Sequence, residues 1–273
     1  MSLIDCYEGF IFDLDGTVYL GEELLPGAVE VVEAIRRADR QIIYLTNKPL
    51  EPSAAYAAKL TRLGLPTPEG DVVSSLDSLV QYMTRMHPSA PTLCVSEPLV
   101  AETLEKSGFP VVSVDNPEEA AVVVVSFDRT FDYRKLHAAF RAVRAGAVIV
   151  ATNPDPYCPT PDGGLPDCAA MLAAVEACTG EISEAIVGKP SDHMAAALLT
   201  RLGLSPERVL LVGDRAQTDV AMAHSAGMDS CLVLTGATGR EAALLANPPP
   251  TYLANEIGSL LSMTPSTRRQ STR

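Results

Sequence analysis

Two aspartates stand at the end of the first apolar run of this 273-residue chain. Asp13 and Asp15 lie in the segment Phe12-Asp13-Leu14-Asp15-Gly16. Because side chains alternate along a strand, we expect both carboxylates to point the same way, and Gly16 allows the chain to bend directly after them. The carboxyl end of a parallel strand is where open sheets bind their ligands. Two acids at that position are suited to nucleophilic and acid–base chemistry.

Three later segments carry groups that suit a phosphate and a metal ion. Thr46 and Asn47 end the second apolar strand and offer a hydroxyl and an amide as donors to phosphate oxygens. Lys189 comes just before a predicted helix, where its ammonium can neutralise a phosphoryl group. Asp214 and Asp219 follow a fully apolar strand. Acids from two strands in one crevice would repel one another, so we expect a Mg²⁺ ion between them.

These four segments, in this order, resemble the motifs of the haloacid dehalogenase (HAD) superfamily of phosphohydrolases. The resemblance implies that Asp13 is the nucleophile and a Mg²⁺ ligand. It also implies that Asp15 is the general acid and base, and that its backbone carbonyl binds the metal. Dehalogenases of the superfamily lack the second acid, so Asp15 indicates phosphate-ester chemistry.

The same resemblance gives roles to the later segments. Asp214 would bind Mg²⁺ directly, and Asp219 would hold the water shell of the metal. Thr46, the backbone of Asn47 and the ammonium of Lys189 would bind the phosphoryl oxygens.

The long stretch between the second and third segments has the position of the larger, α/β type of cap domain in this superfamily. Within it, the segment Ala151-Thr152-Asn153-Pro154-Asp155 resembles the NagD-like (class IIA) branch. We therefore predict a HAD-like hydrolase core formed by residues 1–86 and 185–273, with an inserted α/β cap formed by residues 87–184. Capped enzymes of this branch often dimerise through the cap, so the resemblance implies a homodimer.

Some residues beside the main motifs are candidate substrate contacts. Lys48 stands where the branch commonly has the second Asn of Thr-Asn-Asn-Ser. It either reaches a second anionic group of a substrate or is a solvated loop lysine. Asp155, Tyr157 and Asp162 lie on a Pro- and Gly-rich loop that is either a lid over the crevice or an ordinary surface loop. The segment Leu165-Pro166-Asp167-Cys168 also departs from the branch, so substrate specificity cannot be transferred.

Short apolar strands alternate with amphipathic helices along the chain, which predicts a doubly wound, Rossmann-like parallel sheet in an α/β fold. The predicted strands are residues 10–14, 41–45, 93–95, 111–114, 121–126, 147–151, 186–187, 209–212 and 231–234. The predicted helices are residues 27–38, 53–63, 133–145, 166–179, 191–202 and 218–226.

Composition narrows the classes of partner. The formal net charge is −13, and the basic residues cluster only in the short tail 268–273, which argues against nucleic acid. The six cysteines show neither a C-x-x-C pair nor zinc spacing, which favours reduced thiols in a cytoplasm. No apolar run approaches the ~20 residues of a membrane span. The tail after residue 263 lacks apolar periodicity and is expected to fray.

We therefore expect a Mg²⁺-dependent phosphatase that hydrolyses small-molecule phosphate monoesters through an aspartyl phosphate. Sugar phosphates, nucleotides and p-nitrophenyl phosphate are the expected types of substrate. One alternative is a non-catalytic binding protein in which an aspartate accepts a phosphoryl group as a signal. Another is a phosphotransferase that passes the phosphoryl group to a sugar acceptor instead of water.

Overall fold

The computed structural model describes residues 2–160 and 163–267 and contains two parallel sheets. The strands are β1 (Gly9–Asp13), β2 (Tyr19–Leu20), β3 (Glu23–Leu24), β4 (Gln41–Thr46), β5 (Val72–Ser74), β6 (Thr92–Val95), β7 (Val111–Val112), β8 (Val122–Val125), β9 (Val148–Ala151), β10 (Tyr157–Thr160), β11 (Gly163–Pro166), β12 (Ala185–Ile186), β13 (Val209–Gly213), β14 (Asp229–Val233) and β15 (Tyr252–Ala254). The α-helices are α1 (Leu3–Cys6), α2 (Ala28–Arg37), α3 (Ser53–Arg62), α4 (Ser75–Met86), α5 (Pro98–Lys106), α6 (Tyr133–Arg144), α7 (Cys168–Thr179), α8 (Asp192–Leu202), α9 (Ala221–Ser225) and α10 (Arg240–Leu245).

The first sheet has six parallel strands in the order β15-β14-β13-β1-β4-β5. Phe10 and Phe12 of β1 pack into the core on one face, whereas Ile11 packs against Met194 and Leu198 of α8 on the other. Burial on both faces explains why β1 and its neighbours are continuous apolar runs. The central strands β13, β1 and β4 are parallel, so their carboxyl ends meet at one edge of the sheet.

The second sheet has five parallel strands in the order β12-β9-β8-β6-β7. All four valines of β8 are buried, and they alternate between a core lined by α6 and α7 and a core lined by α4 and α5. Backbone pairing of β12 with β9 continues through Val187 and Gly188, which donate to the carbonyls of Ala151 and Thr152 at 2.9 Å. The domain boundaries at residues 87 and 185 stay a prediction, although β12 belongs to this sheet by its hydrogen bonds.

The predicted fold class, a doubly wound parallel sheet with an inserted α/β cap, is confirmed. A hairpin of β10 and β11, which the sequence did not predict, lies between β9 and α7. The predicted helix at residues 166–179 begins at Cys168, because Pro166 pairs in the hairpin and Asp167 Oδ1 accepts from the backbone N–H of Cys168. The lid candidate Asp162 lies outside the described residues.

The last described element is a short 3₁₀ turn, Pro265–Thr267. The basic cluster at residues 268–273, where fraying was predicted, lies outside the described residues. None of the helices within residues 2–160 and 163–267 combines the length and apolarity needed to cross a membrane.

Candidate active site

Strand β1 places Asp13 at the centre of the first sheet. The strand is buried along its whole length, and Asp13, its last residue, lies beside Leu45 of β4. Thr17 Oγ1 donates to Asp13 Oδ2 at 3.3 Å, and Lys189 Nζ donates to Asp13 Oδ1. The carboxylate of the predicted nucleophile is therefore oriented by a hydroxyl on one oxygen and by an ammonium on the other.

Three buried carboxylates meet around the ammonium of Lys189. One oxygen from each of Asp13, Asp214 and Asp219 lies within 4.8 Å of the other two. Lys189 Nζ also donates to Asp219 Oδ1 at 2.7 Å, so one ammonium serves two acids. With all four groups ionised, this cluster has two uncompensated negative charges. A divalent cation with oxygen ligands would balance them, so these residues fit Mg²⁺.

Burial has the largest effect on the pKa of Asp13 and on that of Asp214. It raises the pKa of Asp13 well above its ordinary value, and Lys189 opposes this shift while Asp219 and Asp214 add to it. Burial also raises the pKa of Asp214 to about 6, with a further contribution from Asp219. Burial disfavours the charge on Lys189, but Asp13 and Asp219 outweigh it and raise the pKa of the ammonium. A cation in the cluster would favour the ionised carboxylates.

A loop after β14 supports Asp214. The backbone N–H of Ala237 donates to Asp214 Oδ2 at 2.5 Å, and the N–H of Thr238 donates to the Asp214 carbonyl at 3.1 Å. A Cβ on Gly236 would overlap the carboxylate of Asp214. Sequence reasoning missed this loop, because it has no charged side chain to mark it. The sequence signal for this loop was Gly236, a glycine shortly after the buried strand β14, and a single glycine is a weak signal.

Asn47 joins three segments of the site. Its Oδ1 accepts from the backbone N–H of Lys189 at 2.8 Å, and its Nδ2 donates to the Lys189 carbonyl at 3.2 Å and to Asp155 Oδ2 at 2.8 Å. The side-chain amide, predicted as a phosphate donor, is thus engaged within the protein. Thr46 Oγ1 lies at the end of β4, where it accepts from the N–H of Lys48 at 3.1 Å.

The carboxylate of Asp15 does not point into the acidic cluster. Its Oδ1 lies 3.5 Å from Lys48 Nζ, and its Oδ2 accepts a hydrogen bond from Tyr19 Oη at 3.5 Å. The expected alternation of side chains ends at Asp13, because β1 stops there and Gly16 turns the chain with φ = 87°. Both aspartates still line one cavity, with different neighbours.

Arg215 connects the first sheet to the predicted lid loop. Its Nε forms an ion pair with Asp155 Oδ1 at 3.2 Å, and its Nη2 donates to the carbonyl of Tyr157 at 2.8 Å. Its guanidinium also lies 5.1 Å from the centre of the Tyr157 ring. The structure thus brings Asp155 and Tyr157 to the site. Sequence reasoning gave no role to Arg215, although its place next to Asp214 was a usable signal.

The cavity between these groups is small, with a volume of about 40 Å³. Of the residues that the structure describes, fifteen line it: Asp13, Asp15, Thr46, Asn47, Lys48, Asp155, Tyr157, Cys158, Pro159, Asp167, Lys189, Asp214, Arg215, Thr218 and Asp219. This volume admits an ion or a few waters but is well below the ~300 Å³ of a typical ligand pocket. A larger cavity of about 890 Å³ lies between α4 and α8, away from the carboxylates. We place the chemistry in the smaller one because it holds the converging charged groups.

Known proteins resemble this chain over most of its length. A family model for haloacid dehalogenase-like hydrolases matches residues 10–110, and a HAD-hydrolase-like model matches residues 186–260. Sugar-phosphatase AraL of Bacillus subtilis (strain 168) is 36% identical over 228 residues, which are 84% of this chain and 83% of the relative.

Solved structures share the fold of this chain, and two of them illustrate the similarity. The 4-nitrophenylphosphatase of Thermotoga maritima has a TM-score of 0.87 and 32% identity, covering 96% of this chain and 99% of its own. The glycerol phosphate phosphatase of Mycobacterium tuberculosis, in complex with magnesium, has a TM-score of 0.85 and 31% identity, covering 95% and 78%.

Together with the buried carboxylates at the edge of a doubly wound sheet, these similarities define a hydrolase that acts on phosphate esters. The chain belongs to the haloacid dehalogenase-like hydrolase family. The resemblance inferred from the four motifs, including the NagD-like class IIA branch, is confirmed.

Proposed function

We propose that this enzyme hydrolyses small-molecule phosphate monoesters through an aspartyl phosphate formed on Asp13. The observation that carries the proposal is the position of Asp13, a buried carboxylate at the end of β1 that contacts Lys189. The ammonium can neutralise the charge that spreads over the phosphoryl oxygens during transfer. The names of the relatives, which are sugar, nitrophenyl and glycerol phosphate phosphatases, support this class of substrate.

The reaction would proceed in two displacements. In the first, an oxygen of Asp13 bonds to phosphorus, the bond to the leaving oxygen breaks, and Asp15 gives that oxygen a proton. In the second, Asp15 takes a proton from water, the water oxygen bonds to phosphorus, and the bond to Asp13 breaks to release inorganic phosphate. Covalent catalysis by a carboxylate thus divides one difficult step into two easier ones.

The acidic cluster would hold Mg²⁺ through Asp13, Asp214 and the backbone carbonyl of Asp15, with Asp219 binding its water shell. When bound, the cation neutralises charge on the phosphoryl oxygens and keeps the carboxylates ionised. The magnesium in the related glycerol phosphate phosphatase supports this cofactor.

Other groups would bind and enclose the substrate. Thr46 Oγ1, the backbone N–H of Asn47 and the ammonium of Lys189 would bind phosphoryl oxygens. Asp155 and Tyr157 would cover the leaving group as part of a lid. The site volume of about 40 Å³ supports a closed arrangement of that lid.

Replacing the nucleophile tests the proposal. We expect Asp13→Asn to lower turnover of p-nitrophenyl phosphate in Mg²⁺ by at least about 10³-fold, since an amide cannot form the acyl phosphate. Release of p-nitrophenol measures turnover, and circular dichroism checks that the fold survives. The matched control is Asp115→Asn, at an acid between β7 and β8 whose side chain is 68% exposed. Turnover by Asp13→Asn at the control's rate would refute Asp13 as nucleophile.

The same assay separates the alternatives. A phosphoacceptor protein would incorporate one phosphoryl group and stop, whereas an enzyme releases phosphate over many cycles. A phosphotransferase would phosphorylate an added sugar in preference to water, so its phosphate release would fall as the acceptor is added.

Three further features belong to the proposal. The core would consist of residues 1–86 and 185–273 and the cap of residues 87–184; an inserted cap is supported by the strands β6 to β9 of the second sheet, which all lie within 87–184. A cytoplasmic location is supported by six cysteines that form no disulfide with one another. A homodimer formed through the cap rests on the family alone.

A further inference from the structure

Three cationic side chains line the active-site cavity in the described part of the chain, and they differ in how they are engaged. Lys189 contacts the carboxylates of Asp13 and Asp219. Arg215 pairs with Asp155 and with a backbone carbonyl of the hairpin. Lys48 Nζ lies 3.5 Å from Asp15 Oδ1, which is longer than the 2.7–2.9 Å of a charge-assisted hydrogen bond. The ammonium of Lys48 can therefore take a closer anion.

The backbone holds Lys48 in place. Its N–H donates to Thr46 Oγ1 at 3.1 Å, and its carbonyl accepts from Tyr56 Oη at 2.8 Å. Its side chain is 25% exposed and reaches the neighbourhood of Cys158 on the hairpin, so it is not a freely solvated loop lysine. Burial disfavours its charge, but Asp15 and Cys158 outweigh burial and raise the pKa of the ammonium.

We infer that Lys48 binds a second anionic group, so that the preferred substrates are phosphate monoesters that carry a carboxylate or a second phosphate. This inference rests on the proposed function, in which Asp15 protonates the leaving oxygen. A cation beside Asp15 and below the hairpin then faces the leaving group and not the transferred phosphoryl group. The anionic group of the substrate replaces Asp15 as the partner of Lys48. This new ion pair offsets the hydration free energy that the anion loses when it leaves water.

Matched pairs of substrates test the inference. The carboxylate pair is 3-phosphoglycerate and glycerol 3-phosphate, and the phosphate pair is fructose 1,6-bisphosphate and fructose 6-phosphate. The readout is the ratio of kcat/KM for the member with the extra anion to that for its partner, which cancels changes common to both. We expect this ratio to exceed about 10 for the wild type in at least one pair.

Variants of Lys48 identify the group responsible. We expect Lys48→Met and Lys48→Asn to lower the ratio by about 10- to 100-fold, since an ionic hydrogen bond is lost. Lys48→Arg keeps the charge and should hold the ratio within about 3-fold of the wild type. The matched control is Lys106→Met, at a lysine of α5 whose side chain is 75% exposed, and it should leave the ratio unchanged.

Two results would overturn the inference while leaving the proposed function intact. One is a wild type that turns over both members of each pair with equal kcat/KM. The other is a preference for the extra anion that Lys48→Met and Lys48→Asn retain in full. If the wild type hydrolyses none of these esters and no p-nitrophenyl phosphate, the proposed function fails and this inference falls with it.

Discussion

Asp167 is a buried carboxylic acid that caps the start of α7 (Cys168–Thr179). Burial raises its pKa to about 7, the backbone N–H of Cys168 opposes that shift, and Asp155 adds to it. Since the ordinary pKa of Asp is near 4, the folded protein holds this proton more tightly than the unfolded chain does. The stability that comes from the protonated form is fully present below about pH 4 and is lost as the pH rises through about 7.

We therefore predict that Asp167→Asn, which stays neutral, removes this part of the pH dependence. From pH 5 to pH 7 the wild type should lose free energy of unfolding relative to the variant, by up to about 1.4 kcal/mol per pH unit. Denaturant unfolding at a series of pH values measures the difference. Asp115→Asn, whose acid is exposed, should follow the wild-type slope. Parallel curves for the wild type and Asp167→Asn would contradict the prediction.

Single residues of the site were predictable where chemistry marks them. Asp13, Lys189, Asp214 and Asp219 are charged groups next to apolar strands, and the fold does bring them together. Arg215 escaped prediction because its partners lie about 60 residues earlier in the chain, and only the packing of the two sheets makes them neighbours.

At the scale of elements, the loop of residues 235–238 determines where Asp214 lies. Its backbone N–H groups donate to Asp214, Thr235 Oγ1 donates to the Gly16 carbonyl at 2.6 Å, and Thr238 Oγ1 accepts from the N–H of Ala216. These bonds tie β14 to the segments that follow β1 and β13. The loop can pass this close because Gly236 has no side chain.

We predict that Gly236→Ala lowers kcat/KM for p-nitrophenyl phosphate by about 100-fold or more. The added methyl group would overlap Asp214, and a misplacement of about 1 Å can cost that much in rate. Steady-state kinetics measures the loss. Gly239→Ala is the matched control, because a Cβ at Gly239 meets no atom within 4 Å. Equal activity of the two variants would show that the loop does not position Asp214.

Predictions of strands succeeded where the apolar run is long. Four strands of the first sheet, β1, β4, β13 and β14, were predicted because burial on both faces makes them apolar runs. Strands β5 and β15 have three residues each and were missed. Helix α4 (Ser75–Met86) was missed although it had signals, namely buried residues at helical spacing and a capping box of Ser74 and Asp77. The hairpin of β10 and β11 has no such pattern, since β11 is exposed at every residue.

At the scale of the whole molecule, Arg215 is a buried ionic link between the two sheets. Its side chain and that of Asp155 are 10% and 11% exposed, and burial raises the pKa of Asp155 against the opposing charge of Arg215. Removing one partner of a buried ion pair leaves the other charge uncompensated, which costs more than the pair itself contributes.

We predict that Arg215→Met lowers the free energy of unfolding by about 3 kcal/mol. Adding Asp155→Asn to the same chain should recover part of this loss, because no unpaired carboxylate then remains. Urea unfolding measures both effects. Arg134→Met removes a surface ion pair with Asp115 and should cost much less than Arg215→Met, because solvent screens exposed charges. A loss for Arg215→Met no larger than that of Arg134→Met would contradict the buried link.

Strand β12 (Ala185–Ile186) has a consequence for recombining these enzymes. Its pairing with β9 extends through Gly188. Lys189 is the next residue, and its ammonium lies in the acidic cluster. A chimera of two relatives joined at the proposed boundary of residue 185 would pair β9 of one relative with β12 of the other, and the position of the ammonium would depend on that pairing. The seam of such a transplant belongs beyond Pro190, where the chain enters α8 and is governed by the core.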